Sequence, residues 1–115
     1  MSIEKYSDDI VVVELPAEPN IRGKLDSVIE QIREGCEYHV LVDFSNVEIM
    51  SSMTLSGFLQ LQKLVTGSGR KLIFSNASPL TKSIFKVTCF DGIFEFMDDR
   101  SEAISNLETA QIAVV

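Results

Sequence analysis

At 115 residues, with 45% apolar and 23% charged residues, the chain has the composition of one globular domain, long enough to bury a core without disulfides or metal. Its formal charge of −7 and the lack of any lysine or arginine cluster argue against nucleic acid and anionic membrane as partners, since both attract basic patches. Cys36 and Cys89 form no CxxC pair and make no metal site with the lone His39, so reduced thiols of a cytoplasmic protein are expected. MSIEKYSDD has neither the basic start nor the apolar core of a signal segment, and no apolar run approaches the ~18 residues of a membrane span.

In chain order, IVVVEL (Ile10 to Leu15) is a β-branched run that predicts a strand, stopped by Pro16 and Pro19 in the loop ELPAEPN. Asn20 is placed to cap a helix whose apolar face is Ile21, Leu25, Val28, Ile29 and Ile32, with Gly35 closing it. YHVLVDF, Tyr38 to Phe44, is the continuous apolar run of a central strand buried on both faces. A second helix is predicted from about Met53 to Val65, with Leu55, Phe58, Leu59, Leu61, Leu64 and Val65 on its buried side. GSGR, Gly67 to Arg70, precedes the strand KLIFS instead of linking a strand to a helix, so it predicts a helix end and turn, not a phosphate loop.

Ser78 and Pro79 start a third helix, with Leu80, Ile84, Phe85 and Thr88 along one face. Gly92 turns the chain into a short strand, IFEFM, and Asp99 with Glu102 has capping-box spacing before Ala103, Ile104 and Leu107. An edge strand from Ile3 to Tyr6 would add a hairpin turning at Ser7, Asp8 and Asp9. The expected fold is α/β: a four- to five-stranded, mostly parallel sheet with an antiparallel N-terminal edge strand and about four helices. One domain is expected over residues 1–115, with its core at about 10–107 and a tail at 108–115, whose apolar end would serve docking or dimer contacts, or fray.

An enzyme of this class gathers polar groups at the C-terminal ends of its strands, which here offer Asp43, Asn46, Ser51, Ser52, Ser75 and Asn76. No G-x-S-x-G elbow surrounds Ser52, and His39 lies mid-strand, where a buried and satisfied imidazole is expected. A phosphate-accepting receiver domain would need an acidic pair after the first strand, and Asp43 lacks those partners. No catalytic residue, cofactor or metal is expected. What stands out instead is VEIMSSMTLSGF, two serines between two methionines at a helix entrance.

VLVDFSNVEIMSSMTLSGFLQL resembles the STAS domain of bacterial anti-sigma factor antagonists, in which a strand ends in Asp and a turn, and D-S-S-G-L-G opens the next helix. SPLTKSIFKVTCFDGIFEFMDDRSEAI is also similar to that family in the order and spacing of its elements. On this pattern Ser51 stands where Asp is usual, and Ser52 on the serine or threonine phosphorylated in switching members. Met53, Thr54 and Ser56 replace Ser and two glycines, while Leu55 matches. The resemblance implies a non-catalytic transcription regulator. Unphosphorylated, it would bind an anti-sigma factor with a histidine-kinase-like ATPase fold; that partner phosphorylates the serine, and a serine phosphatase reverses it. Ser52 is then the expected phosphorylation site, with Ser51 the alternative, and Met50, Ser51, Ser52, Met53, Thr54 and Ser56 the expected partner surface.

The physics agrees. A serine at a helix start lies near unpaired N–H groups that favour an added phosphate, and methionines supply adaptable contacts. The bland alternative, one serine merely capping the helix, is compatible with phosphorylation of the other. A second function stays open, a STAS scaffold without reversible phosphorylation, as in a stressosome-like component or a subunit of a membrane transport complex. Nucleotide binding by the domain has no motif to support it. A homodimer is compatible with all of these.

Overall fold

Alternating β-branched runs and helix-periodic stretches become alternating elements in the computed structural model, which describes residues 3–33, 35, 37–87 and 92–112. The strands are β1 (Ile3–Lys5), β2 (Ile10–Glu14), β3 (His39–Asp43), β4 (Leu72–Ser75) and β5 (Glu95–Met97). The helices are α1 (Ile21–Ile32), α2 (Ser52–Gly67), α3 (Pro79–Val87) and α4 (Arg100–Ile112). The strands form one sheet in the order β1-β2-β3-β4-β5, with β1 antiparallel to β2 and every other pair parallel.

Each parallel pair needs a crossover, and α1, α2 and α3 supply them in turn. Their apolar faces meet Val13, Val40, Val42, Leu72 and Phe74 on one side of the sheet. Alternation sends Ile10, Val12, Leu41 and Ile73 to the other side, where Ala103 and Leu107 of α4 cover them. All five β3 residues are buried, which explains its unbroken apolar run. Gly57 brings α1 and α2 close: a Cβ there would lie 3.1 Å from Leu25 Cδ1 and 3.2 Å from Arg22 Nη1.

Several caps act as their sequence predicts. Ser78 Oγ accepts the Thr81 N–H at 3.1 Å, Asp99 Oδ1 accepts the Glu102 N–H at 2.8 Å, and Glu102 reaches back to the Asp98 N–H at 3.1 Å. Gly69, at φ +76°, lets the Arg70 N–H return to the Val65 carbonyl at 3.0 Å, so GSGR is a helix end and turn. Two expectations need correction. Asn20 precedes α1, but its side chain makes no capping bond; its carbonyl accepts the Lys24 N–H at 3.2 Å instead. Leu80 is 57% exposed, because α3 turns Thr81 and Phe85 inward, with Ser78 holding the Thr81 hydroxyl at 3.1 Å. The readings of Cys36, Cys89, Thr88 and the last three residues lie outside the described residues.

The larger core is aromatic. Phe74 stands at its centre, with ring centroids 4.9 Å from Phe44, 5.2 Å from Phe58, 4.9 Å from Phe94 and 5.5 Å from Phe96. Offset and edge-on contacts of this kind add to simple burial. Phe74→Ala should therefore cost about 3–5 kcal/mol in urea unfolding. A loss under about 1 kcal/mol would show that the core closes over the gap.

Candidate functional site

The path from β3 into α2 is set by Asp43, the last residue of the strand. Its Oδ1 accepts the Ser45 N–H at 2.8 Å, the Ser45 hydroxyl at 2.7 Å and the Asn76 amide at 3.3 Å, and its Oδ2 accepts from Arg100. Arg100, the first residue of α4, also donates to Glu14 Oε2 at 2.9 Å. Burial opposes ionisation of Asp43, but the bonds from Ser45, Arg100 and Asn76 outweigh it and hold the carboxyl below its usual range. Asn76 reaches in from a left-handed backbone, φ +60°, at the end of β4. Ser75 is buried beside it, and its hydroxyl has no hydrogen-bond partner among the described residues.

Beyond this knot the chain returns to the surface. Val47 is buried, Ile49 is 62% exposed, and Met50 is half-buried against the core. Ser51 caps α2 from an extended backbone: its Oγ accepts the Thr54 N–H at 3.4 Å and lies 3.1 Å from Thr54 Oγ1. Glu18, from the β2–α1 loop, completes the entrance. Its Oε2 accepts the Ser51 N–H at 2.7 Å and the Thr54 hydroxyl at 3.0 Å. The carboxylate can only accept, so the Thr54 proton goes to Glu18, and Ser51 donates to Thr54 Oγ1. A carboxylate at this position also complements the positive end of the helix.

Arg22, on the first turn of α1, donates through Nε to Asp26 at 3.0 Å and through Nη1 to Ser56 Oγ at 3.0 Å. A cleft of about 420 Å³ runs between the two segments, lined by Glu18, Pro19 and Arg22 on one side and Ile49, Met50 and Ser51 on the other. Ala17, Asn46 and Glu48, with Glu18 and Ile49, line an adjoining hollow of about 400 Å³.

The predicted residues thus fall in different places. Ser51 and Ser56 are exposed, and Met50 lines the cleft. Thr54 is fully buried with its hydroxyl bonded to Glu18, so it supports the entrance from within and offers no side chain to a partner surface. Ser52 and Met53 form the start of α2, and their side chains lie outside the described residues. Asp43 and Asn76 come together as strand-end residues, while Asn46 lines the second hollow. Glu18, Arg22 and Arg100 carry no local sequence signal and were not predicted. His39 is 7% exposed, and its Nδ1 accepts the Lys71 N–H at 3.0 Å. Burial first, then the Arg70 and Lys71 charges, outweigh Asp9 and push its pKa below the ordinary value. Among the described residues no group of three or more metal-ligating side chains is assembled, and no helix is long and apolar enough to cross a membrane.

With fold and entrance in view, the family is plain. The STAS domain model matches residues 5–103, and the chain belongs to that family. A STAS-domain anti-sigma-factor antagonist from Planctomyces limnophilus is 16% identical, with 94% of this chain and 99% of that one covered at a TM-score of 0.79. The anti-sigma factor antagonist SpoIIAA in its unphosphorylated form is 18% identical over 94% and 96%, at 0.78; the phosphorylated Bacillus form is 21% identical over 91% and 96%, at 0.61. A chain of the stressosome is 14% identical over 95% and 97%, at 0.75. These likenesses are of fold. No curated protein matches the sequence.

Two titrations should be visible in stability. The His39 and Asp43 pKa values are both lowered by folding, so the unfolded chain takes up protons first and stability falls with pH. The urea midpoint should fall once below about 6.5, from His39, and again below about 4, from Asp43. His39→Asn, whose Oδ1 can accept the Lys71 N–H, should remove the first stage and keep the second. An unchanged first stage would show that His39 is not its source.

Proposed function

We propose that this protein is a non-catalytic regulatory module that binds another protein at the α2 entrance and is switched by phosphorylation of Ser52. In this reading it is a cytoplasmic anti-sigma factor antagonist. The observation that carries it is the pairing of an exposed Ile49 and a cleft-lining Met50 with a hydroxyl-bearing helix start. The apolar side chains offer contact area, and the hydroxyl offers a place to add charge.

The partner is an anti-sigma factor with a histidine-kinase-like ATPase fold, and it is also the kinase. It transfers the γ-phosphoryl group of a nucleoside triphosphate to Ser52 Oγ. The Ser52 O–H bond is replaced by O–P, the bond to the departing nucleoside diphosphate breaks, and the hydroxyl proton is released. A serine phosphatase hydrolyses the ester. Ser52 is preferred over Ser51 because the Ser51 hydroxyl is spent on the cap. A dianion at the first turn suits the helix but not a partner packed over it, where the charge would lose its water.

A second reading, a constitutive STAS scaffold in a larger assembly or transport complex, has one observation in its favour. Glu18 already puts a carboxylate at the entrance, which opposes a second anion unless it moves. Binding to the purified partner separates the two. Ser52→Ala should bind as the wild type does, and Ser52→Glu about a hundredfold more weakly, a loss of ~3 kcal/mol. Equal binding by both variants, with co-purification in one assembly, would replace the switch by the scaffold.

A further inference from the structure

Among the described residues, Glu18 and Arg22 are the charged side chains lining the larger cleft, and they come from one short segment at the start of α1. Glu18 ties that segment to α2 through the Ser51 N–H and the Thr54 hydroxyl, across the cleft. Arg22 ties it to α2 again, lower down, through Ser56 Oγ. Positions 52 and 56 are four residues apart in α2, so they fall on one helix face about one turn apart, a rise of about 6 Å. A guanidinium bonded to one is within a turn of the other. Its bond to a neutral hydroxyl is weaker than the charge-assisted, forked pairing it makes with a phosphate.

We infer that Glu18 and Arg22 read the charge state of the α2 entrance by exchanging bridges. A phosphate on Ser52 takes Arg22 from Ser56 and expels the Glu18 carboxylate from Ser51 and Thr54. In the unmodified protein the anion at the helix start is Glu18, internal and removable. In the modified protein the phosphate takes that role, and Glu18 turns to solvent because two anions repel each other at one helix start. The Pro19 side of the cleft then loses its tie to the Ile49–Ser51 side. Phosphorylation therefore changes the shape of the contact surface as well as its charge. Glu18 and Arg22 act here as positioning residues. The inference rests on Ser52 being the modified residue.

The test uses the full chain with phosphoserine installed at position 52 during synthesis, so no kinase or partner enters. Backbone amide spectra are compared for the unmodified protein, Glu18→Ala and the phosphorylated protein. The amides of Ala17 and Asn20 should move on phosphorylation toward their positions in Glu18→Ala, which has no acceptor for the Ser51 N–H; Glu18→Asp, one methylene short of that N–H, serves as reference if Glu18→Ala fails to fold. Phosphorus titration then reads Arg22 directly, with Glu18 and Asp26 as the neighbouring carboxylates. Arg22→Gln should raise the second ionisation of the phosphate by about one pH unit, since an adjacent cation lowers it by about that much. Loop amides that ignore the phosphate, or an ionisation indifferent to Arg22→Gln, would overturn the exchange. Either failure leaves the Ser52→Glu binding test intact, and a lack of partner binding leaves this result intact.

Discussion

An ionised carboxylate 4% exposed at the end of a central strand is the constraint around which this fold closes. Asp43 survives there only because donors reach it from Ser45, Asn76 and Arg100. Each donor fixes something else in turn. Ser45 bends the chain out of β3, Asn76 holds the exit from β4, and Arg100 locks the first turn of α4 while reaching Glu14 on β2. One buried charge thus ties three strands and the helix on the far face. Removing a partner from such a charge costs about 3–5 kcal/mol, more than replacing the whole cluster with apolar groups would.

The same knot fixes where α2 begins. Leaving Asp43, the chain buries Phe44 and Val47, exposes Ile49 and delivers Ser51 in the extended conformation of a helix cap. The loop before α1 meets it there, held by Glu18, with Gly57 allowing α1 and α2 to approach. The rigid part of the molecule therefore presents a helix start whose own charges come from a separate loop. That is a suitable place for regulation: the scaffold need not change when the entrance does.

Much of the fold was legible because its signals are local and periodic. The run from Tyr38 to Phe44 reads as a doubly buried strand, Ser78 and Pro79 as a helix start, and Asp99 with Glu102 as a cap; each acts within a few residues of itself. The helix entrance with its two serines was legible for the same reason. Glu18 was not, because its partners lie 33 and 36 residues away and a proline-bounded loop carries no period. Arg100 was hidden likewise, 57 residues from Asp43. Thr54 looked like a surface hydroxyl, yet its buried position follows from a carboxylate that the local sequence does not announce. Leu80 misled for the opposite reason: its type suggests the core, but the face of α3 is set by Phe85 and the Ser78–Thr81 bond.

The central claim is that the start of α2 is a modifiable contact surface, and the chemical state of Ser52 in the living cell bears on it most directly. Intact-mass and peptide-mass analysis of the protein recovered from its native cells, during growth and under stress, reads that state. A fraction carrying one phosphate on Ser52, absent from Ser52→Ala, is the predicted result. Protein unmodified under both conditions would contradict the switch and leave a STAS module that binds without it.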